Sequence, residues 1–273
     1  MDKALFTKLL YGGIIGDAMG VPYEFREKGA FRAEPDMAGY GTYCQPPGTW
    51  SDDTSLTLLL MEALTAGGGP DGFIKRLRRY YQEGYMTPDG RCFDIGHATL
   101  MAANGKPDPR SEGNGSLMRA LPLVRHTWDL SAAERESEIG IWSAATHPNE
   151  RAVQCCLIYV ELMRCIITTG DKKEFHKKAA ELFQKYLNEN IDIGSPGSNG
   201  RCTDTLRTAV RATLEGNDYS DIILETINLG GDTDTNAMVA GTMAAAVYPI
   251  NEKWLEKVRC KDLIGSVIDL FWE

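Results

Sequence analysis

Two short segments pack carboxylates and hydroxyls more densely than a surface turn requires. Ser51-Asp52-Asp53 lies within Gly48 to Thr54, just before the apolar run Leu56 to Leu64. Asp232-Thr233-Asp234-Thr235 lies within Gly230 to Asn236, just before the apolar run Ala237 to Val247. Ser, Thr and Asp are favoured helix N-caps, and a carboxylate there gains from the helix dipole, so one such residue per helix needs no further purpose. Two carboxylates per turn exceed that need, because adjacent negative charges repel and are costly to bury without a cation. Carboxylate and hydroxyl oxygens are hard ligands suited to magnesium, manganese or calcium. The sequence offers no His or Cys cluster for zinc. Four carboxylates with Ser51 and Thr235 would serve two octahedral ions, with waters or substrate oxygens completing each. Residue types alone leave metal binding and helix capping both open.

A second constellation is Gly113-Asn114-Gly115-Ser116-Leu117-Met118-Arg119. Glycines on either side of Asn114 allow close backbone approach to a ligand, and Ser116 is placed to open a following helix. Successive amides at such a turn suit a diphosphate or ribose, although a plain loop-to-helix junction uses the same letters. His147 precedes Pro148, which is expected in the first turn of a long helix. His97, His126 and His176 read as structural, and Asp17, which could merely cap or fix a turn in a glycine-rich N-terminal segment, reads as structural support for the site.

These groups must be carried by helices. Residues Ala152 to Thr168 are apolar almost all round, the mark of a central helix, and Phe175 to Tyr186 carries a single apolar stripe. Helical patterns also cover Thr54 to Thr65, Asp71 to Glu83, Phe93 to Asn104, Ser131 to Ala145, Asp204 to Leu214, Tyr219 to Leu229, Thr235 to Tyr248 and Glu252 to Val258. Alternating strand patterns are scarce, so the expectation is an all-α fold in a single compact domain over residues 1–273. Glycine and proline mark loops at Gly39 to Gly48, Gly67 to Gly72, Asn104 to Gly115 and Ile193 to Gly200.

With 273 residues, 43% of them hydrophobic, the chain can bury a sizeable core. A net charge of -9 argues against a broad nucleic-acid or anionic-membrane surface and fits a protein that gathers cations. The seven cysteines include no C-x-x-C pair, and Cys155 and Cys156 sit in an apolar run, so they read as free thiols of a reducing cytoplasm. Asp17 interrupts the N-terminal apolar stretch and no cleavage site follows. The uncharged stretch Thr235 to Asn251 is too short in its apolar part to span a bilayer. A soluble protein is expected, with a monomer as the default.

In order along the chain, Gly12-Gly13-Ile14-Ile15-Gly16-Asp17-Ala18-Met19-Gly20, Pro22, Glu24-Phe25, Gly48 to Thr54, Gly113 to Arg119, Thr146-His147-Pro148, Asp204-Thr205-Leu206 and Gly230 to Asn236 together resemble the ADP-ribosylglycohydrolase family. The resemblance implies an all-α fold with two divalent cations, Mg2+ or Mn2+, at the bottom of an ADP-ribose cleft. By position it implies Ser51, Asp52, Asp53, Asp232, Asp234 and Thr235 as metal ligands, Ser51 standing where the family often has threonine. It places Glu24 at the site beside Asp52, Asp53 and Asp234 as catalytic residues, where Glu24 alone would pass for a surface carboxylate beside Arg26. It implies that Asn114, Gly115, Ser116, Met118 and His147 hold the distal ribose and diphosphate. One departure stands out. The family often carries an aromatic shortly before Asp-Thr-Leu, whereas Gly197 to Thr203 has none and offers Arg201 to stack or pair with phosphate.

The implied activity is hydrolysis of the anomeric bond joining ADP-ribose to a side chain of a modified protein, arginine first, with serine-linked or small conjugates as alternatives. Two rivals remain at this level: a two-metal phosphoester hydrolase and a catalytically silent ADP-ribose-binding protein. Asp52→Asn and Asp234→Asn should each abolish turnover while leaving the far-ultraviolet circular dichroism nearly unchanged, because asparagine still caps a helix but lacks the charge a cation needs. Full activity with unchanged metal content in either variant would remove the site from consideration.

Overall fold

A computed structural model describes residues 1–191 and 197–273. Part of the expected loop Ile193 to Gly200 therefore lies outside the described residues. Among them, thirteen α-helices follow one another: α1 (Lys3–Gly20), α2 (Asp52–Ala66), α3 (Gly69–Glu83), α4 (His97–Ala103), α5 (Leu121–His126), α6 (Ala132–Ala144), α7 (Glu150–Thr169), α8 (Lys172–Leu182, extended by a π turn at Phe183–Leu187), α9 (Cys202–Glu215), α10 (Tyr219–Ile227), α11 (Thr233–Val247), α12 (Glu252–Lys257) and α13 (Lys261–Trp272). No strand forms among the described residues, where only the isolated bridges Tyr40–Gln45 and Gly113–Arg201 occur. One hydrophobic core draws on residues from Phe6 to Ile268.

The glycine-rich N-terminal segment is helical, and Asp17 acts from within it as the support expected for the site rather than as a turn residue. The segment is the helix α1, started by Asp2, whose side chain accepts the Leu5 amide at 2.8 Å. Its glycines are there for proximity. A Cβ at Gly16 would stand 2.1 Å from the Ala237 carbonyl oxygen, one at Gly12 2.5 Å from the Ala245 Cβ, and one at Gly20 2.4 Å from the Asp234 Cα. These pairings run in opposite directions along the two chains, so α1 and α11 are antiparallel and in near backbone contact. The seam delivers the C-terminal end of α1, with Asp17, to the N-terminus of α11. Thr233 closes it by donating its hydroxyl to the Gly20 carbonyl at 2.8 Å.

Helix α7 is buried along most of its length, as its all-round apolarity requires. By length and apolarity alone, Lys3–Tyr23 and Glu150–Thr169 could each cross a bilayer, yet 72% and 56% of their apolar windows lie inside the fold. Other boundaries differ from expectation. Asn149 caps α7 with its side chain, leaving Pro148 one residue ahead of the cap rather than in the first turn. Helix α3 begins at Gly69, inside the stretch expected to be a loop. Helix α4 begins only at His97, because the Gly96 amide bonds the Asp52 carboxylate (3.2 Å), which leaves Phe93 to Gly96 out of the helix. Helices α5 and α13 are additional to the expected set.

Gly16→Ala should destabilise the protein by about 1–3 kcal/mol, since its methyl meets backbone rather than a movable side chain. Gly265→Ala, in α13 with nothing within 4 Å of the added carbon, should instead raise stability by about 0.5–1 kcal/mol. Thermal or urea unfolding of the two variants decides, and equal effects would mean that the seam is not tight.

Candidate active site

The two acidic segments meet in space. Ser51 is the N-cap of α2 and its Oγ accepts the Asp53 amide at 3.2 Å, with Asp52 and Asp53 in the first turn. Capping thus accounts for Ser51. It does not account for Asp232, which occupies the N-cap position of α11 but makes no capping bond. Asp232 instead accepts the Asn114 side-chain amide at 2.8 Å. The first turns of α2 and α11 touch where the Thr235 hydroxyl donates to Asp53 Oδ1 at 3.1 Å. Asp17 supports this floor from below. Its carboxylate accepts the Ser51 amide (2.9 Å), the Thr54 amide (3.1 Å) and the Thr54 hydroxyl (2.6 Å), which fixes the α2 turn.

The floor holds more negative charge than its donors neutralise. Asp17, Glu24, Asp52, Asp53 and Asp234 are all buried. Buried oxygens Glu24 Oε2 and Asp53 Oδ2 have no hydrogen-bond partner. Oxygens of Glu24, Asp232 and Asp234 lie within 4.8 Å of one another, as do those of Asp17, Asp53 and Asp234. Glu24 faces Asp234 and Asp94 neighbours Asp52, juxtapositions of carboxyls that need a shared proton or a cation. Burial, then the Asp94 charge, push the Glu24 carboxyl up to about 8. Burial pushes Asp17 up to about 6 despite the Ser51 and Thr54 bonds. Burial and neighbouring carboxylates likewise hold Asp52, Asp53 and Asp234 well above the usual carboxylate range. Orphaned oxygens, all-oxygen donors and surplus charge fit divalent cations held between α2 and α11.

Above the floor opens a cavity of about 370 Å³. Glu24, Asp52, Asp94, Asp232, Asp234 and Thr235 line its acidic part, with Gly200 against the Asp232 carboxylate, and Gly113, Asn114, Gly115, Met118 and His147 line the rest. Asn114 ties the two together, donating to Asp232 and to Thr205 Oγ1 (2.9 Å), while its backbone amide bonds the Gly200 carbonyl at 3.1 Å. His147 is packed against the glycines, and a Cβ at Gly115 would come within 2.8 Å of its ring. Beneath lies the fully buried Arg119, whose guanidinium donates to the Gly115 and Trp142 carbonyls and to Thr146 Oγ1. Because Arg119 donates to the Thr146 hydroxyl, the hydroxyl hydrogen is free to go to His147 Nδ1, 2.8 Å away. Burial and the Arg119 charge hold the imidazole neutral, its pKa pushed down to about 3. A neutral ring that accepts at Nδ1 carries its hydrogen on Nε2, a donor for an anion.

Several expectations need correction. Ser116 opens no helix and does not line the cavity; residues 114–119 form turns before α5, and its hydroxyl accepts from Ser143 at 3.0 Å. Arg201 does not line the cavity either, being paired with Glu112 at 2.5 Å. His97, expected to be structural, stands exposed on the cavity rim. Three contributors were not singled out from sequence: Asp94, Phe25 as a rim residue, and Tyr43, a neighbour of both Glu24 and Asp94. Asp94 hides inside an apparent helical pattern, and Tyr43 inside a glycine-rich loop.

Residues 2–273 match the family model for ADP-ribosylglycohydrolase. The chain belongs to the ADP-ribosylglycohydrolase family. It is accordingly a glycosylhydrolase. Among relatives of this ADP-ribosylglycohydrolase, the ADP-ribosylarginine hydrolase Tri1 of Pseudomonas putida is 33% identical over 91% of this chain and 72% of its own. The ADP-ribosyl-[dinitrogen reductase] glycohydrolase of Rhodospirillum rubrum is 26% identical over 95% of this chain and 91% of its own. A solved structure titled "ADP-ribosylglycohydrolase-related protein complex" superposes with a TM-score of 0.83 at 27% identity, covering 99% of this chain and 97% of that one.

The raised carboxyl pKa values carry a sign. A folded protein whose acids hold protons more tightly than the unfolded chain is stabilised below the unfolded values near 4 and loses that stability as pH rises through the folded ones, about 6 for Asp17 and about 8 for Glu24. A divalent cation competes with those protons, so its stabilisation should grow over the same window. Unfolding midpoints in chelator should therefore fall from pH 5.5 to 8.5, while the increment from added magnesium or manganese widens. An increment independent of pH would exclude a cation from this floor.

Proposed function

We propose that this ADP-ribosylglycohydrolase removes ADP-ribose from modified arginine side chains of proteins, using two Mg2+ or Mn2+ ions. The observation that carries the proposal is one cavity with an acidic floor at one end and a wall of glycine backbone and the His147 Nε2–H donor at the other. A ribose fits the first and a diphosphate the second. The arginine preference is supported by two relatives named ADP-ribosylarginine hydrolase, at 33% and 30% identity, from Pseudomonas putida and Serratia proteamaculans.

Ser51, Asp52, Asp53, Asp232, Asp234 and Thr235 would hold the cations. When bound, the ions supply Lewis acidity that holds ribose hydroxyls and lowers the pKa of water. The protein's own groups do the rest. Breaking the C–N bond builds positive charge on the ribose ring, and the floor carboxylates stabilise it. The water oxygen goes to the anomeric carbon, one water hydrogen passes to the departing guanidine nitrogen, and ADP-ribose and arginine leave. Glu24, with a buried and unpartnered Oε2 at the cavity, is the group placed to take and return that proton. The Asn114 bond to Asp232 keeps floor and wall in register while this happens.

Incubation with defined arginine-, serine- and small-molecule ADP-ribose conjugates should give intact ADP-ribose, fastest from arginine. Release of AMP or phosphate would replace the proposal with phosphoester hydrolysis. Tight ADP-ribose binding without turnover on any linkage would make the protein a binder.

A further inference from the structure

Phe25 is an anomaly on three counts. It is the most exposed large apolar side chain of the described residues, at 70%. It has a left-handed backbone (φ 62), a conformation that is rare and costly for a bulky residue and that persists where surrounding structure enforces it. It also lines the cavity, beside Glu24 at the acidic end.

The enforcement is visible. The Phe25 amide donates to the Gly231 carbonyl at 2.7 Å, and the Gly231 amide returns a bond to the Arg26 carbonyl at 2.9 Å. On either side the chain is anchored away from the opening. Tyr23 is buried and stacked on Phe31 at 4.9 Å, and the Arg26 guanidinium lies 4.9 Å over the same Phe31 ring. Of residues 23–26, only Glu24 and Phe25 line the cavity, and Phe25 is the exposed one of the two. Nothing in the core gains from a phenyl group there, and a glycine would meet the same backbone demand without strain.

We propose that the Phe25 ring is the platform on which the leaving guanidinium stacks, so that Phe25 selects a planar cation over an alkoxide such as serine. The proposal rests on the arginine reading above. A guanidinium is planar, always charged and weakly hydrated, and it stacks on aromatic faces. The ring is at the acidic end of the cavity beside Glu24, where the proposed reaction places the leaving group. The wall that suits the diphosphate lies at the other end, so Phe25 should be indifferent to ADP-ribose itself.

The test compares Phe25→Leu, Phe25→Gly and Phe25→Trp with the wild-type enzyme on an arginine conjugate, together with ADP-ribose affinity by calorimetry. Leu and Gly should lower kcat/KM for the arginine conjugate roughly 5- to 30-fold, mainly through KM, with ADP-ribose affinity unchanged. Trp should retain activity. Phe25→Gly should melt at or above the wild-type temperature, which separates lost recognition from lost folding. Wild-type kcat/KM in the Leu and Gly variants would overturn the proposal while leaving arginine hydrolysis intact, as would an equal loss in ADP-ribose affinity. A wild-type enzyme inert on arginine conjugates would overturn both.

Discussion

The structure is organised around electrostatic repulsion held in place. Carboxylates from the first turns of α2 and α11, joined by Glu24 and Asp94, are gathered into a floor largely removed from water. Burying one unpaired carboxylate costs several kcal/mol, so a group of them persists only with specific compensation. Part of it comes from the two helix N-termini, whose positive dipole ends converge on the cluster. Part comes from Asp17, which spends its own acceptors on the α2 turn and so lets Asp52 and Asp53 face inward. What is left over is a cation's share.

Convergence at this scale demands close packing behind the site. Side chains ordinarily keep helix axes 8–10 Å apart. The glycines of α1 remove that spacing along α11, bringing Gly20 against the Asp234 backbone. Tyr219 locks the seam from α10 by donating its hydroxyl to the Gly12 carbonyl at 2.6 Å. The far wall uses another device. Arg119, a permanently charged group, is buried between the Gly115 carbonyl of the loop and the Trp142 carbonyl of α6, and its charge helps keep His147 neutral. Negative charge is thus collected at one end of the cavity and a neutral donor is prepared at the other.

Much of this was legible in the sequence because local chemistry carried it. The acidic segments announced themselves by exceeding what a cap needs, and α7 by an apolar surface with no polar face. The misses share a cause: each depends on what a distant segment does. Glycine-rich α1 looks like a poor helix until α11 is pressed against it. Asp94 sits in a plausible helical repeat, but the Gly96 amide is taken by Asp52 and the Asp94 carbonyl by the Tyr80 hydroxyl, which hold it outside the helix at the cavity. Ser116 has the composition of a helix opener, but its hydroxyl is taken up with Ser143, and the chain turns for several residues before α5 starts. Arg201 seemed free for a substrate until Glu112 was found beside it.

The paired bonds between residues 25–26 and Gly231 do more than shape the rim. They make the segment bearing Glu24 and the loop bearing Asp232 a single mechanical part, braced from the outside by the Thr42 hydroxyl on the Glu24 carbonyl at 2.7 Å. The backbone at Glu24 is thereby tied to the loop that carries a candidate cation ligand. The position of the rim at Glu24 and any cation's hold at Asp232 are therefore coupled, and by reciprocity a cation bound there would steady the rim.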